Sequence, residues 1–160
     1  MLDFTLDNYF RMLTYHVQSK VWEEAPFTSG GPPPLSGHTA TLYQPEDESL
    51  PAQMIIVGGV MVMSSGGNLV STWSNAVWIM NVDSLEWSLA EATGNAMFNA
   101  RQGHSTTLYN NKLYIFGGFS QDGYMSTDVM VLDLDTRYNR SHCPFSNSLL
   151  QPLISSDILL

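Results

Sequence analysis

The stretch Gly103-His-Ser-Thr-Thr-Leu-Tyr109 repeats Gly37-His-Thr-Ala-Thr-Leu-Tyr43 at an offset of 66. Two further stretches repeat in the same order. Met54-Ile-Ile-Val-Gly-Gly59 matches Leu113-Tyr-Ile-Phe-Gly-Gly118 at an offset of 59, and residues 75–83 match residues 127–135 at 52. A falling offset means that the matched segments are fixed and the connections between them vary, as in a stacked repeat whose insertions fall in loops. A partial third copy opens the chain: Tyr15-His-Val-Gln-Ser-Lys-Val-Trp22 aligns with Met80-Asn-Val-Asp-Ser-Leu-Glu-Trp87, with Val, Ser and Trp identical. Each unit buries its apolar face only against a neighbour, so the duplication constrains the fold more than any single motif.

The repeated segments are strands. Residues 105–109 are rich in Thr, aromatic and aliphatic residues, Asn110-Asn111-Lys112 supplies turn chemistry, and residues 113–116 form an apolar run too short for a helix. The pair reads as a buried β-hairpin closed by Gly117-Gly118. The second unit has strands over residues 37–43, 53–57, 75–82 and 87–90, and the third over 103–109, 113–116 and 128–134. The first retains only a third strand within residues 9–17 and an outer strand at 22–25. Residues 60–74 and 119–127 read as links between second and third strands, and residues 26–36 and 91–102 as crossings between units. Gly58 and Gly59, like Gly117 and Gly118, occupy positions that require φ > 0 or close backbone approach.

Ordered Gly-His, strand-Gly-Gly and strand-turn-Trp motifs resemble kelch repeats over roughly residues 9–138. That resemblance implies an all-β fold of four-stranded antiparallel blades in a β-propeller. It sets a partial propeller at 1–139, with blades at about 4–25 (partial), 37–90 and 103–139, and an irregular or disordered tail at 140–160. Roughly ten strands fall short of the roughly sixteen that a ring of four such blades needs. The ring is therefore expected not to close with this chain alone, as in a fragment of a longer propeller. One motif departs: Asn139 stands where the other units have Trp22 and Trp87.

Composition narrows function. Six basic residues against fifteen acidic give a net charge of −9, without a Lys/Arg cluster to neutralise phosphates, so nucleic acid is not an expected partner. No stretch reaches the roughly 20 apolar residues of a membrane span. The single cysteine, Cys143, excludes an internal disulfide framework. Early acids and no apolar run at the N-terminus lack signal-peptide character, which makes cytoplasmic the default location. The sequon Asn139-Arg-Ser141 keeps an extracellular or cell-surface site as the alternative.

Candidate chemistry is sparse. His38 and His104 hold equivalent inner-strand positions, but no Cys, Asp or Glu repeats with them, so they read as structural hydrogen-bonding residues with no metal and no cofactor. No nucleophile elbow or phosphate-binding glycine loop occurs. A galactose-oxidase-like secreted propeller is the enzymatic alternative. That chemistry needs His and Tyr copper ligands and a Tyr joined to Cys, whereas the only Cys lies in the patternless tail. What the resemblance implies is a protein partner held by links and crossings on one propeller face. Met61, Met63, Trp73, Phe119 and Tyr124 give that face adaptable and aromatic contact area, and Arg101, aligned with Leu35, is a candidate anchor for an acidic group. Open blade edges are expected to favour self-association. A truncated product without independent function is the bland alternative.

Overall fold

A computed structural model describes residues 12–25, 30–65, 68–90, 98–134 and 150–152, with side chains described except at 63–65 and 150–152. The described residues are all β. A hairpin, β1 (Leu13–His16) and β2 (Val21–Glu24), stands first. The second unit is a four-stranded antiparallel sheet of β4 (Thr39–Tyr43), β5 (Gln53–Val57), β8 (Val77–Asn81) and β9 (Trp87–Leu89). The third is a matching sheet of β11 (Ser105–Tyr109), β12 (Lys112–Phe116), β14 (Val129–Asp133) and β15 (Leu150–Pro152). Asn110 and Asn111 turn β11 into β12 with φ of 47° and 56°, the left-handed pair that a two-residue hairpin turn requires.

The two sheets lie face to face on one core. Alternation along each strand sends Tyr43, Ile55, Val57, Val77 and Ile79 of the second unit against Leu113, Ile115, Met130, Leu132 and Leu134 of the third. Phe98, from the crossing, is sealed among them at 3 % exposure. Hydrogen bonds bridge the sheets beside this apolar layer: Thr41 Oγ1 meets Thr106 Oγ1 at 2.8 Å, Tyr43 Oη donates to the Leu134 carbonyl at 3.4 Å, and Asn111 Nδ2 donates to Glu46 Oε1 at 2.8 Å. The opposite faces remain partly open. Leu42 is 64 % exposed on one and Tyr109 64 % on the other. A groove of about 590 Å³ beside β1 is lined by Met12, Leu13, His38, Ala40 and Ile56 among others.

Three expectations need correction. Residues 60–74, expected as an open link, contain a β-hairpin of β6 (Val60–Ser65) and β7 (Asn68–Trp73). Val, Met, Leu, Thr and Trp favour strands on both sides of a Gly-Gly break, so the insertion folds on itself. The crossings likewise carry two short strands: β3 (Leu35–Ser36) pairs with β6, and β10 (Arg101–Gln102) pairs with β13 (Phe119–Ser120). Third, residues 150–152, expected within an irregular tail, bond to β14 as β15 and occupy the outer edge of the third sheet. An unpaired ladder edge accepts any extended segment that reaches it. Asn139, Cys143 and the remaining tail lie outside the described residues.

Candidate functional site

Antiparallel order decides what shares an end of the blades. β4 runs into β5 through residues 44–52, and β5 ends at Val57, just before Gly58, so the turn and the link lie at opposite ends. Links and crossings therefore collect at one end, and backbone bonds tie them together. The Arg101 carbonyl accepts from Gly59 N at 2.8 Å, and Arg101 N donates to the Ser74 carbonyl at 3.3 Å. Arg101 also pairs with Ser120 across β10 and β13. The root of the β6–β7 hairpin, the crossing and the third-unit link thus meet at one residue.

Arg101 itself is not a surface anchor. It is 1 % exposed, and its guanidinium donates to the carbonyls of Asn99 (3.2 Å) and Gly117 (3.0 Å), to Ser126 Oγ (3.1 Å) and to Asp128 Oδ2 (3.5 Å). Its cationic carbon lies 5.1 Å from the centre of the Phe98 ring. Burying a guanidinium requires such partners, and five fixed donors suit a hub between loops. Expecting Arg101 to hold a partner's acidic group is corrected on that ground: an internal set of acceptors already holds it. Ser126 hydrogen-bonds Asp128 and, with Arg101 beside it, holds that carboxyl below its usual range.

The other expected contact residues are distributed along this end. Met61 is half-buried on β6 opposite Leu35, and Met63 is on the same strand. Trp73 is half-buried at the hairpin root, across from Val60. Phe119 is 43 % exposed and Tyr124 75 %, joined in one loop by the bond from Ser120 N to the Tyr124 carbonyl. Four exposed large apolar residues of the same elements were not among the expected ones: Val62 (41 %), Leu69 (69 %), Val70 (44 %) and Met125 (72 %). Their signal was available in the apolar residues flanking Gly66-Gly67 and beside Tyr124.

The repeated motif residues sit between blades. Gly58 and Gly59 have φ of 62° and 99°, and Gly117 and Gly118 have 68° and 96°. His104 is 6 % exposed, and its Nε2 shares a hydrogen bond of 3.0 Å with Thr39 Oγ1 of the second unit. Burial first, then Arg101, pushes its pKa down to about 4, against a smaller upward pull from the Val57 backbone. His38, at the equivalent place, is exposed and borders the open groove, so the two imidazoles face successive blade interfaces. Trp87 packs over Gly31, within 3.2 Å of where a β-carbon would stand. Trp22, its counterpart, is 65 % exposed and tilts against Tyr15 at 4.9 Å.

Comparison with known proteins agrees with this architecture. Residues 5–152 match the model of the KLHDC2/KLHL20/DRC7 Kelch-repeats domain. Human Host cell factor 2 is 27 % identical over 137 residues, covering 85 % of this chain and 16 % of that protein. Human Host cell factor 1 is 34 % identical over 97 residues, 60 % of this chain and 4 % of that protein. The chain thus spans a small part of these relatives' length. A solved structure described as "Structure of YjhT" superposes with a TM-score of 0.53 and 18 % identity, covering 82 % of this chain and 34 % of the other. With a family match across most of its length and the ordered motifs on two stacked four-stranded sheets, the chain belongs to the kelch-repeat family.

Proposed function

We propose that this chain is a non-catalytic part of a longer kelch β-propeller and binds another protein through the end of the blades where links and crossings gather. The observation that carries this reading is the Arg101 hub, which fixes two links and a crossing to one another and leaves Phe119, Tyr124 and Met125 exposed around it. Such a surface combines rigid backbone with aromatic and methionine side chains, the types enriched at protein interfaces. Membership of the kelch family supports an interaction module.

The test is site-specific photo-crosslinking in cells. A benzophenone amino acid replacing Phe119 or Tyr124 is expected to capture a protein other than this chain, and the same probe at Tyr109, at the turn end, is not. Equal capture at both ends, or capture at Tyr109 alone, would overturn the reading. Arg101→Ala is unsuitable as a contact test, because loss of the hub disturbs the whole end.

A further inference from the structure

The β6–β7 hairpin carries an edge that no other described strand uses. β7 bonds to β6 on one side and, among the described residues, to no strand on the other. Residues 68–72 are all exposed, with Leu69 at 69 % and Val70 at 44 %, and Val62 across the ladder is 41 % exposed. An exposed strand edge presents a row of free N–H and C=O groups, and proteins ordinarily block such edges with Lys, Pro, inward charges or a covering element. β7 carries no Lys, Pro or charge, and among the described residues no element covers its edge. Residues 60–82 contain no Asp, Glu, Lys, Arg, His or Pro, in a chain with fifteen acidic and six basic residues.

We propose that β7 pairs antiparallel with β7 of a second copy of this chain, forming a two-fold dimer through the hairpin edge. Charge selects that occupant. Two copies at net −9 repel wherever their acidic surfaces meet, and a strand without charges lets their backbones approach with no like charges opposed. A partner recognised through its charges would find nothing on β7 to pair with. A two-fold register that sets Val70 opposite Val70, Leu69 opposite Ser71 and Asn68 opposite Thr72 pairs residues 68–72 and brings the two Val70 side chains against each other. Such an isologous contact closes at two copies instead of propagating. The pairing joins two β3-β6-β7 sheets into one and leaves the blade core untouched. It does not rest on the partner-binding reading, since Phe119 and Tyr124 lie on a different link.

Sedimentation equilibrium of the full chain, under reducing conditions so that Cys143 cannot link copies, decides it. The wild-type chain is expected to form a dimer between about 1 and 100 µM, and no larger species. Val70→Glu should weaken that dimer at least about tenfold by placing like charges across the edge, and so should Val70→Lys. An equimolar mixture of the two should restore it. Tyr109→Glu, on the open face of the third blade, should leave dimerisation unchanged. A monomer at every concentration, open-ended association, loss of the dimer with Tyr109→Glu but not Val70→Glu, or a mixture that stays monomeric would each overturn the proposal.

Discussion

Gly58 and Gly118 sit where a β-carbon has neither the backbone angle nor the room. A β-carbon on Gly58 would stand 2.7 Å from the Arg101 carbonyl oxygen, and one on Gly118 2.9 Å from that of Gln102. Left-handed backbone alone costs a non-glycine residue about 1–2 kcal/mol. Gly123 separates this term from the steric one, since it also has positive φ, 79°, but nothing within 4 Å. Gly123→Ala is therefore expected to cost about 1 kcal/mol, and Gly58→Ala or Gly118→Ala more than about 2 kcal/mol, read as urea midpoints at constant slope. His104 adds a pH dependence. Its pKa in the folded chain, about 4, lies below the ordinary 6.5, so the unfolded chain binds the extra proton first as acid is added. The stability it contributes is complete above about pH 6.5, declines as pH falls and is gone below about pH 4, a loss of about 3 kcal/mol. His104→Gln should flatten the stability profile between pH 4 and 6.5, as followed by urea titration. A slope unchanged by the substitution would mean that another group titrates there.

At the scale of elements, the blade strands were legible because each recurs with its neighbours in register. Leu113 to Phe116 is an apolar run too short for a helix, and its copy ending at Val57 and Gly58-Gly59 repeats the same strand in the second unit. Elements outside the repeat escaped that test. The β6–β7 hairpin was hidden by its treatment as an insertion, although Gly66-Gly67 between β-forming residues is hairpin chemistry. Strands of two residues, such as β3 and β10, carry no period to detect. Burial of Arg101 went unread because charge argues for the surface, while its alignment with apolar Leu35 argued for the interior. The hairpin belongs to the β3-β6-β7 sheet, separate from the sheet of β4, β5, β8 and β9. Replacing residues 60–74 with the shorter link, residues 119–126, should therefore leave the blade folded and lower Tm by no more than a few degrees. A collapse of the far-UV signal would show instead that the hairpin holds the blade together.

For the whole molecule, the decisive arrangement is that two sheets share a single apolar layer. Ile55 and Ile115 are both 0 % exposed and belong to one cluster, although they lie in different blades. Deleting either side chain leaves a cavity that both sheets line, and buried Ile→Ala changes cost about 2–5 kcal/mol. If each blade were a separate folding unit, Ile115→Ala would speed amide exchange in β11, β12 and β14 only. A common core predicts that protection falls together in β4, β5 and β8, and that Ile55→Ala produces the reciprocal effect. The β1–β2 hairpin supplies an internal control, because all its residues are exposed and its amides should exchange alike in every variant. Hydrogen-exchange mass spectrometry of the three proteins, at a pH held above 7 to keep His104 neutral, distinguishes these outcomes. Loss of protection confined to the mutated sheet would mean that Thr41–Thr106, His104–Thr39 and the shared apolar layer do not couple the blades, and that the stacking is a contact between independently stable units.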